Sequence, residues 1–159
     1  MKYLKYDLYE KVCSPNGKKY EKEWEKQYSK FLKEFYKLSD RLPESFLIEF
    51  EKHHFHDNII NSISLEKINL KKEYRYSLTI NLLDYHDKNI IHNMVFSDIN
   101  NFDSSLNFSS PTGNCDWLYC EILALDKKRL SLEVILFDDS VIYLDFTKLY
   151  YKKDNVKLG

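Results

Sequence analysis

The stretch Pro43–Leu70 reads PESFLIEFEKHHFHDNIINSISLEKINL and contains the change of hydrophobic period on which the fold depends. Before His53 the apolar side chains recur at helical spacing, and Pro43 fits the first turn of a helix. After Asp57 the apolar side chains recur at about every second residue, which is typical of a strand. We therefore predict a helix that ends near His53 and a strand that begins shortly after Asp57.

Upstream of this stretch, one continuous helix is predicted over residues 18 to 38. Its apolar positions are almost all aromatic and are three or four residues apart, with mainly Lys and Glu between them. No Gly or Pro interrupts the pattern. We expect Trp24, Phe31 and Phe35 to be buried against a sheet. The full stripe is Tyr20, Trp24, Tyr28, Phe31, Phe35 and Leu38.

Downstream, the period of two continues in about six short strands joined mostly by short loops. Short loops imply antiparallel pairing, because parallel strands need long crossovers. The predicted class is α+β, with N-terminal helices packed on an antiparallel meander sheet. The chain forms a single domain, 1-159, with a helical part over 1-53 and a sheet part over 58-151. The predicted strands are 59–70, 74–82, 90–99, 116–125, 130–136 and 141–149, and residues 100–114 are predicted to be an irregular connection.

The overall composition excludes several functional classes. With 24 basic and 25 acidic side chains, the chain lacks the basic excess of a general nucleic-acid binder. No apolar run approaches the roughly 20 residues that span a bilayer, and the N-terminus lacks the apolar region of a signal peptide. Three cysteines, an odd number, fit reduced thiols. We expect a cytoplasmic protein that binds neither nucleic acid nor a membrane.

Acidic side chains concentrate between residues 84 and 126, where seven of them accompany a single lysine. Such residues are common in turns and on solvated strand faces, and this explanation is the simpler one. The alternative is an acidic surface that attracts a basic partner, with exposed aromatic side chains as anchors. The residues predicted to bind a partner are Asp116, Trp117, Tyr119 and Glu121.

Three histidines and an aspartate lie within the five residues from His53 to Asp57. Imidazole and carboxylate are ligands for zinc or iron, so His54, His56 and Asp57 are candidate metal ligands. Their spacing brings only two of the residues in this segment onto one face, and a third ligand must come from elsewhere in the chain. We favour the structural alternative, in which His56 and Asp57 satisfy backbone groups where the helix ends.

Other catalytic patterns are missing from the sequence. With three glycines in the chain, no Gly-rich phosphate loop can form. No serine lies in a nucleophile elbow, and no cysteine has a histidine at a suggestive spacing. No catalytic residue and no cofactor are predicted.

Several short motifs together resemble a known group of proteins. They are Phe50–Ile60, Met94–Ile99, Trp117–Ile122 and Leu136–Ser140. The layout resembles a family of small proteins from AT-rich Gram-positive bacteria that is defined only as a domain of unknown function. It is also similar to several immunity proteins of bacterial polymorphic toxin systems. The resemblance implies no activity that could be transferred to this chain.

From the sequence we therefore expect a non-enzymatic cytosolic protein that binds another protein. A basic toxin, neutralised by an immunity protein, is the kind of partner expected. The alternative is a small metal-dependent hydrolase that uses the cluster from His53 to Asp57. An unpaired edge strand, the first or the last, would allow a homodimer.

Overall fold

The computed structural model describes residues 1–69, 73–106, 116–137 and 139–155. In this part of the chain three α-helices precede all of the strands, as the sequence predicts. The predicted helix over 18–38 is α-helical only as far as Phe35 and then tightens into a 3-10 turn, Tyr36–Leu38. The predicted end of the third helix near His53 is confirmed. The helices are α1 (Tyr6–Cys13), α2 (Lys18–Phe35) and α3 (Glu44–His53).

The described residues form eight strands in two four-stranded antiparallel sheets, which confirms the α+β class. The first sheet has the order β1-β2-β3-β8, and the second has the order β4-β7-β6-β5. Each sheet therefore contains a meander of three consecutive strands. The strands are β1 (Ile59–Asn69), β2 (Tyr74–Leu83), β3 (Ile90–Ser97), β4 (Asn101–Ser104), β5 (Trp117–Ala124), β6 (Leu130–Leu136), β7 (Val141–Phe146) and β8 (Lys148–Asn155).

About six strands were expected, and the larger number arises from one corner in the fold. At this corner the chain passes from β3 to β4 and, on the neighbouring segment, from β7 to β8. The pair of β3 and β8 belongs to the first sheet, and the pair of β4 and β7 belongs to the second. Asp98 has a φ of 57° at the bend. Across from it, the Thr147 N–H donates to the Ser97 carbonyl at 3.0 Å, and the Thr147 hydroxyl donates to the Asp98 carboxylate at 2.7 Å. As a result β4 occupies part of the predicted irregular connection, and residues 107–114 of that connection lie outside the described residues.

The apolar core is continuous between the two sheets and the helices. The rings of Phe96 and Phe146, one from each sheet, meet edge to face with centroids 5.0 Å apart. From the helices, Phe35 stacks on Phe50 at 4.3 Å, and Phe31 is fully buried beside them. Trp24 differs from the prediction, because it is only half-buried. Among the described residues, no helix combines the length and apolar character needed to cross a membrane.

The turn between α3 and β1 has an unusual backbone. His54, Phe55 and Asp57 all have positive φ, of 55°, 58° and 66°. Each non-glycine residue in this region costs about 1–2 kcal/mol, so packing must hold the turn in place. Phe55 is fully buried and provides this packing. The turn directs His54 toward α2 and brings His56 beside β5, which sets the geometry of the site described next.

Candidate binding surface

An aromatic cluster lies where four elements of the fold meet. It consists of Tyr9 from α1, Trp24 from α2, His56 from the turn before β1, and Tyr119 from β5. Tyr119 is at its centre, with its ring centroid 5.0 Å from Trp24, 5.5 Å from Tyr9 and 5.1 Å from His56. All four side chains are half-buried. The rings pack on one another and present their outer edges to solvent.

A β-bulge explains why Tyr119 belongs to this surface and Trp117 does not. The register of β5 on β6 shifts between these two residues, so Trp117 lies opposite Leu136 whereas Tyr119 lies opposite Ile135. Residues opposite each other share a face of the sheet, and Leu136 and Ile135 point to opposite faces. Trp117 therefore points into the core and Tyr119 toward the helices. In a regular strand the two side chains would have shared one face.

The chain around the cluster keeps its phenols protonated. Burial raises the pKa of Tyr119, and the nearby Cys13 and Asp57 raise it further. Burial and a hydrogen bond with Cys13 also raise the pKa of Tyr9. Beside them, Nδ1 of His56 lies 2.9 Å from a carboxylate oxygen of Asp57. The surface is thus an array of aromatic rings with a half-exposed carboxylate at its border.

His54 lies on the inner side of the same turn. Its ring meets Phe50 edge to face at 4.5 Å, and Nδ1 is 3.0 Å from the Tyr28 hydroxyl. Burial, with smaller contributions from the neighbouring His53 and His56, lowers the pKa of His54 to about 4. The imidazole is therefore neutral at pH 7. Its contact with Tyr28 ties the turn to α2. The ring does not point toward Asp57, the carboxylate that pairs with His56.

An acidic groove of about 460 Å³ runs beside the aromatic cluster. Tyr6 connects the two, because it lines the groove and lies 6.1 Å from Tyr9. Lys5 and the Met1 ammonium also line the groove, and the ammonium is ion-paired with one of its carboxylates. Negative charge is in excess. The carboxylates are those of Asp7, Glu10, Glu133 and Asp139.

The four predicted partner-binding residues occupy different environments. Tyr119 is on the surface and Asp116 is half-buried, but Trp117 and Glu121 are each only 1% exposed. The Glu121 carboxylate accepts backbone N–H bonds from Lys2, Tyr3 and Leu4, so it fastens the N-terminal segment onto the sheet. Trp117 and Glu121 therefore contact the chain itself. The sequence pattern did not reveal this, because the bulge and the N-terminal contact both depend on the tertiary structure.

The acidic stretch between residues 84 and 126 does not form one surface. Asp84 is buried against His92. Asp98 bonds Arg75 and the hydroxyl of Thr147, and Asp126 accepts backbone N–H bonds within its own turn. These carboxylates serve turns and internal contacts, in line with the simpler of the two interpretations of the sequence. The acidic groove is formed by other residues, from α1 and from β6 and its following turn.

The candidate metal ligands do not form a three-ligand site. His54 faces Tyr28, whereas His56 and Asp57 face each other beside Tyr119. Within the described ranges, no three His, Cys, Asp or Glu side chains come together in an arrangement that could hold a metal ion. The side chains of His56 and Asp57 pair with each other, whereas the structural interpretation had them bond backbone groups of the turn.

A second polar cluster, formed by Asp84, His92 and Tyr151, lies inside the first sheet. Nε2 of His92 is 2.9 Å from Asp84, and Nδ1 is 2.7 Å from the Tyr151 hydroxyl. Burial opposes ionisation of Asp84, but hydrogen bonds from His92 and from two backbone N–H groups outweigh it and lower the pKa. An Asp–His pair can orient a general base. Here His92 is fully buried, so no substrate can reach its ring.

The chain was also compared with known proteins. No family model, no curated protein and no solved structure matches it. The function must therefore be argued from the geometry of the chain itself.

Proposed function

We propose that this protein is not an enzyme and acts by binding another protein through the aromatic cluster of Tyr9, Trp24, His56 and Tyr119. The single observation that carries the proposal is the position of these rings, which four separate elements hold half-exposed on one surface. A toxin neutralised by an immunity protein is the kind of partner proposed, and cytoplasmic action is part of the same proposal.

The chemistry of the cluster suits a protein interface. Tyr and Trp contribute large contact areas and lose little conformational entropy when they bind. Their mutual packing fixes the rings before a partner arrives, which reduces the cost of ordering them.

Charge favours a basic partner. The Asp57 carboxylate borders the cluster, and the acidic groove meets the cluster at Tyr6, beside Tyr9. Opposite charge across an interface accelerates association and suppresses wrong partners. A nuclease toxin, which is basic because it must bind nucleic acid, fits this pattern.

The experiment is a pull-down with the tagged protein from a lysate of its source organism, followed by titration of the captured partner. Trp24→Ala should weaken binding at least 10-fold, as expected for a central aromatic anchor. Tyr74→Ala is the matched control, because Tyr74 is a 66% exposed aromatic residue on β2, outside the cluster. This control variant should bind like the wild type.

Two results would contradict the proposal. One is a partner that binds both variants equally, because the cluster would then not be the interface. The other is a partner that binds as tightly at 0.5 M salt as at about 0.05 M, because charge would then make no contribution. Thermal melts of both variants are needed to confirm that each is folded.

A further inference from the structure

Among the residues that the structure describes, the outer edge of β1 is the longest strand edge left uncovered. β1 has 11 residues and is the first strand of its sheet. Over the described parts of the chain it pairs with β2 alone, apart from a single bridge between Ile59 and Asp116 at its beginning. An unpaired edge offers a row of N–H and C=O groups that another strand can use.

The other three edges differ from that of β1. β4 is only four residues long. β5 is contacted by α2, and β8 is contacted by α3. β8 also carries Lys148, Lys152 and Lys153, and lysines on an edge strand discourage pairing. β1 has one lysine in its 11 residues.

The backbone pattern shows which residues of β1 face outward. The Asp84 N–H donates to the Ile90 carbonyl, so even-numbered residues of β2 bond to β3 and odd-numbered residues bond to β1. Their partners on β1 are even-numbered, for example Ser64 opposite Thr79. The N–H and C=O groups of Ile63, Leu65 and Lys67 therefore point away from the sheet.

Apolar side chains accompany this edge. Leu65 is 52% exposed, and Ile68 and Tyr76 nearby are also exposed. Leu65 lies opposite Leu78, so it shares the face of the sheet that forms the core, but it lies beyond the part that the core covers. The hairpin of β1 and β2 thus carries apolar surface together with free hydrogen-bonding groups.

We propose that β1 pairs antiparallel with β1 of a second copy of this chain, centred on Leu65, to give one eight-stranded sheet. A two-fold axis through Leu65 places it opposite itself, Ile63 opposite Lys67, and Ser64 opposite Glu66. No like charges meet in this register. Centring on Glu66 or on Lys67 would place two like charges directly opposite each other, which is destabilising. This pairing does not depend on the proposed function, because the aromatic cluster contains no residue of β1.

Cysteine cross-linking tests the register directly. In a background with Cys13 and Cys115 changed to Ser, Leu65→Cys should form a symmetric disulfide under mild oxidation, because its two Cα atoms lie about 5.5 Å apart. Ile68→Cys is the matched control. Its two copies would be about 20 Å apart, so no dimer should form. Equal cross-linking of both variants, or of neither, overturns the proposal.

Light scattering after size exclusion tests the association itself. A protein concentration of about 100 µM is well above the Kd of a specific contact. At this concentration the wild type should have twice the mass of one chain. Leu65→Lys places two lysines opposite each other and should yield a folded monomer whose melting temperature does not depend on protein concentration. Ser64→Lys faces Glu66 of the second copy and should remain a dimer. A monomeric wild type, or a dimer that survives Leu65→Lys, contradicts the proposal.

Discussion

The two halves of α2 carry one aromatic stripe but face different surroundings. Phe31 and Phe35, in the second half, are fully buried against α3. Trp24, in the first half, is half-buried and packs on Tyr119 at the surface. The same helical period thus supplies a core face and a binding face. Periodicity identifies which side of a helix is apolar, and the tertiary structure decides how far that side is covered.

The largest loss of stability is expected on substitution of Phe31, and it tests whether the second half of α2 belongs to the core. Phe31→Ala should lower the free energy of unfolding by about 3–5 kcal/mol, because it leaves a cavity among tightly packed rings. Urea denaturation measures the change. Ile48→Ala, at an exposed position on α3, serves as the control and should change stability by less than about 0.5 kcal/mol. Equal effects at the two positions would show that the second half of α2 is not core.

The second effect is a loss of stability in acid. It is expected from His54, which contacts Tyr28, the residue of the stripe between Trp24 and Phe31. Its folded-state pKa of about 4 lies below the ordinary value of 6.5. The stabilisation is therefore complete above pH 6.5 and is lost as the pH falls toward 4. Because the ring is partly exposed, we expect about 2 kcal/mol between pH 7 and pH 4. Denaturation midpoints at several pH values measure it.

His54→Asn is the control for this pH dependence. Asn does not titrate and tolerates the positive φ at this position. The variant should lose less stability than the wild type over the same pH range. The remaining loss is expected from His92, whose pKa is also lowered by burial. An unchanged pH profile in His54→Asn would contradict the assignment to His54.

A smaller stability effect is expected at Trp24. Trp24→Ala should cost about 1–2 kcal/mol, less than Phe31→Ala, because part of its ring already contacts water. Binding of the partner should fall much more than stability does. Comparing the two variants by urea denaturation therefore separates the halves of α2. A loss at Trp24 as large as that at Phe31 would make Trp24 a core residue.

The smallest effect is expected from Tyr9→Phe. This change removes a hydroxyl that bonds Cys13 and leaves the ring contacts with Trp24 and Tyr119 in place. Stability should change by no more than about 0.5–1 kcal/mol, the net value of one hydrogen bond. Thermal melting measures this. A larger loss would show that polar contacts, rather than ring packing, hold the cluster together.

Local patterns predicted much of the fold. The third helix ends at His53, and β2 and β6 occupy their predicted ranges to within one residue. The division into two sheets was not predicted, because the apolar alternation of Ile142, Leu144 and Phe146 only shifts by one position before it resumes at Leu149, and a single strand was expected across that shift. The bend depends on the positive φ of Asp98 and on hydrogen bonds between distant strands.

The candidate site was predictable only in part. Tyr119 was identified because it alternates with apolar residues on a late strand. Trp24 was assigned to the core, because the spacing of the stripe does not show how much of the helix the sheet covers. Trp117 was assigned to the surface because a bulge of one residue leaves no clear mark in the sequence. The aromatic residues of α1, Tyr6 and Tyr9, were the signal that this region had further ring partners.

The hydrogen bonds that Glu121 accepts from the backbone of residues 2 to 4 have a consequence for the order of folding. These hydrogen bonds join groups 117 to 119 positions apart in the sequence. On the ribosome, residues 2 to 4 can dock on Glu121 only after β5 has emerged. Until then α2 lacks the strand that it contacts. Closure of the N-terminal segment over β5 is therefore expected to be a late step in folding, and a slow one, because it joins such distant parts of the chain.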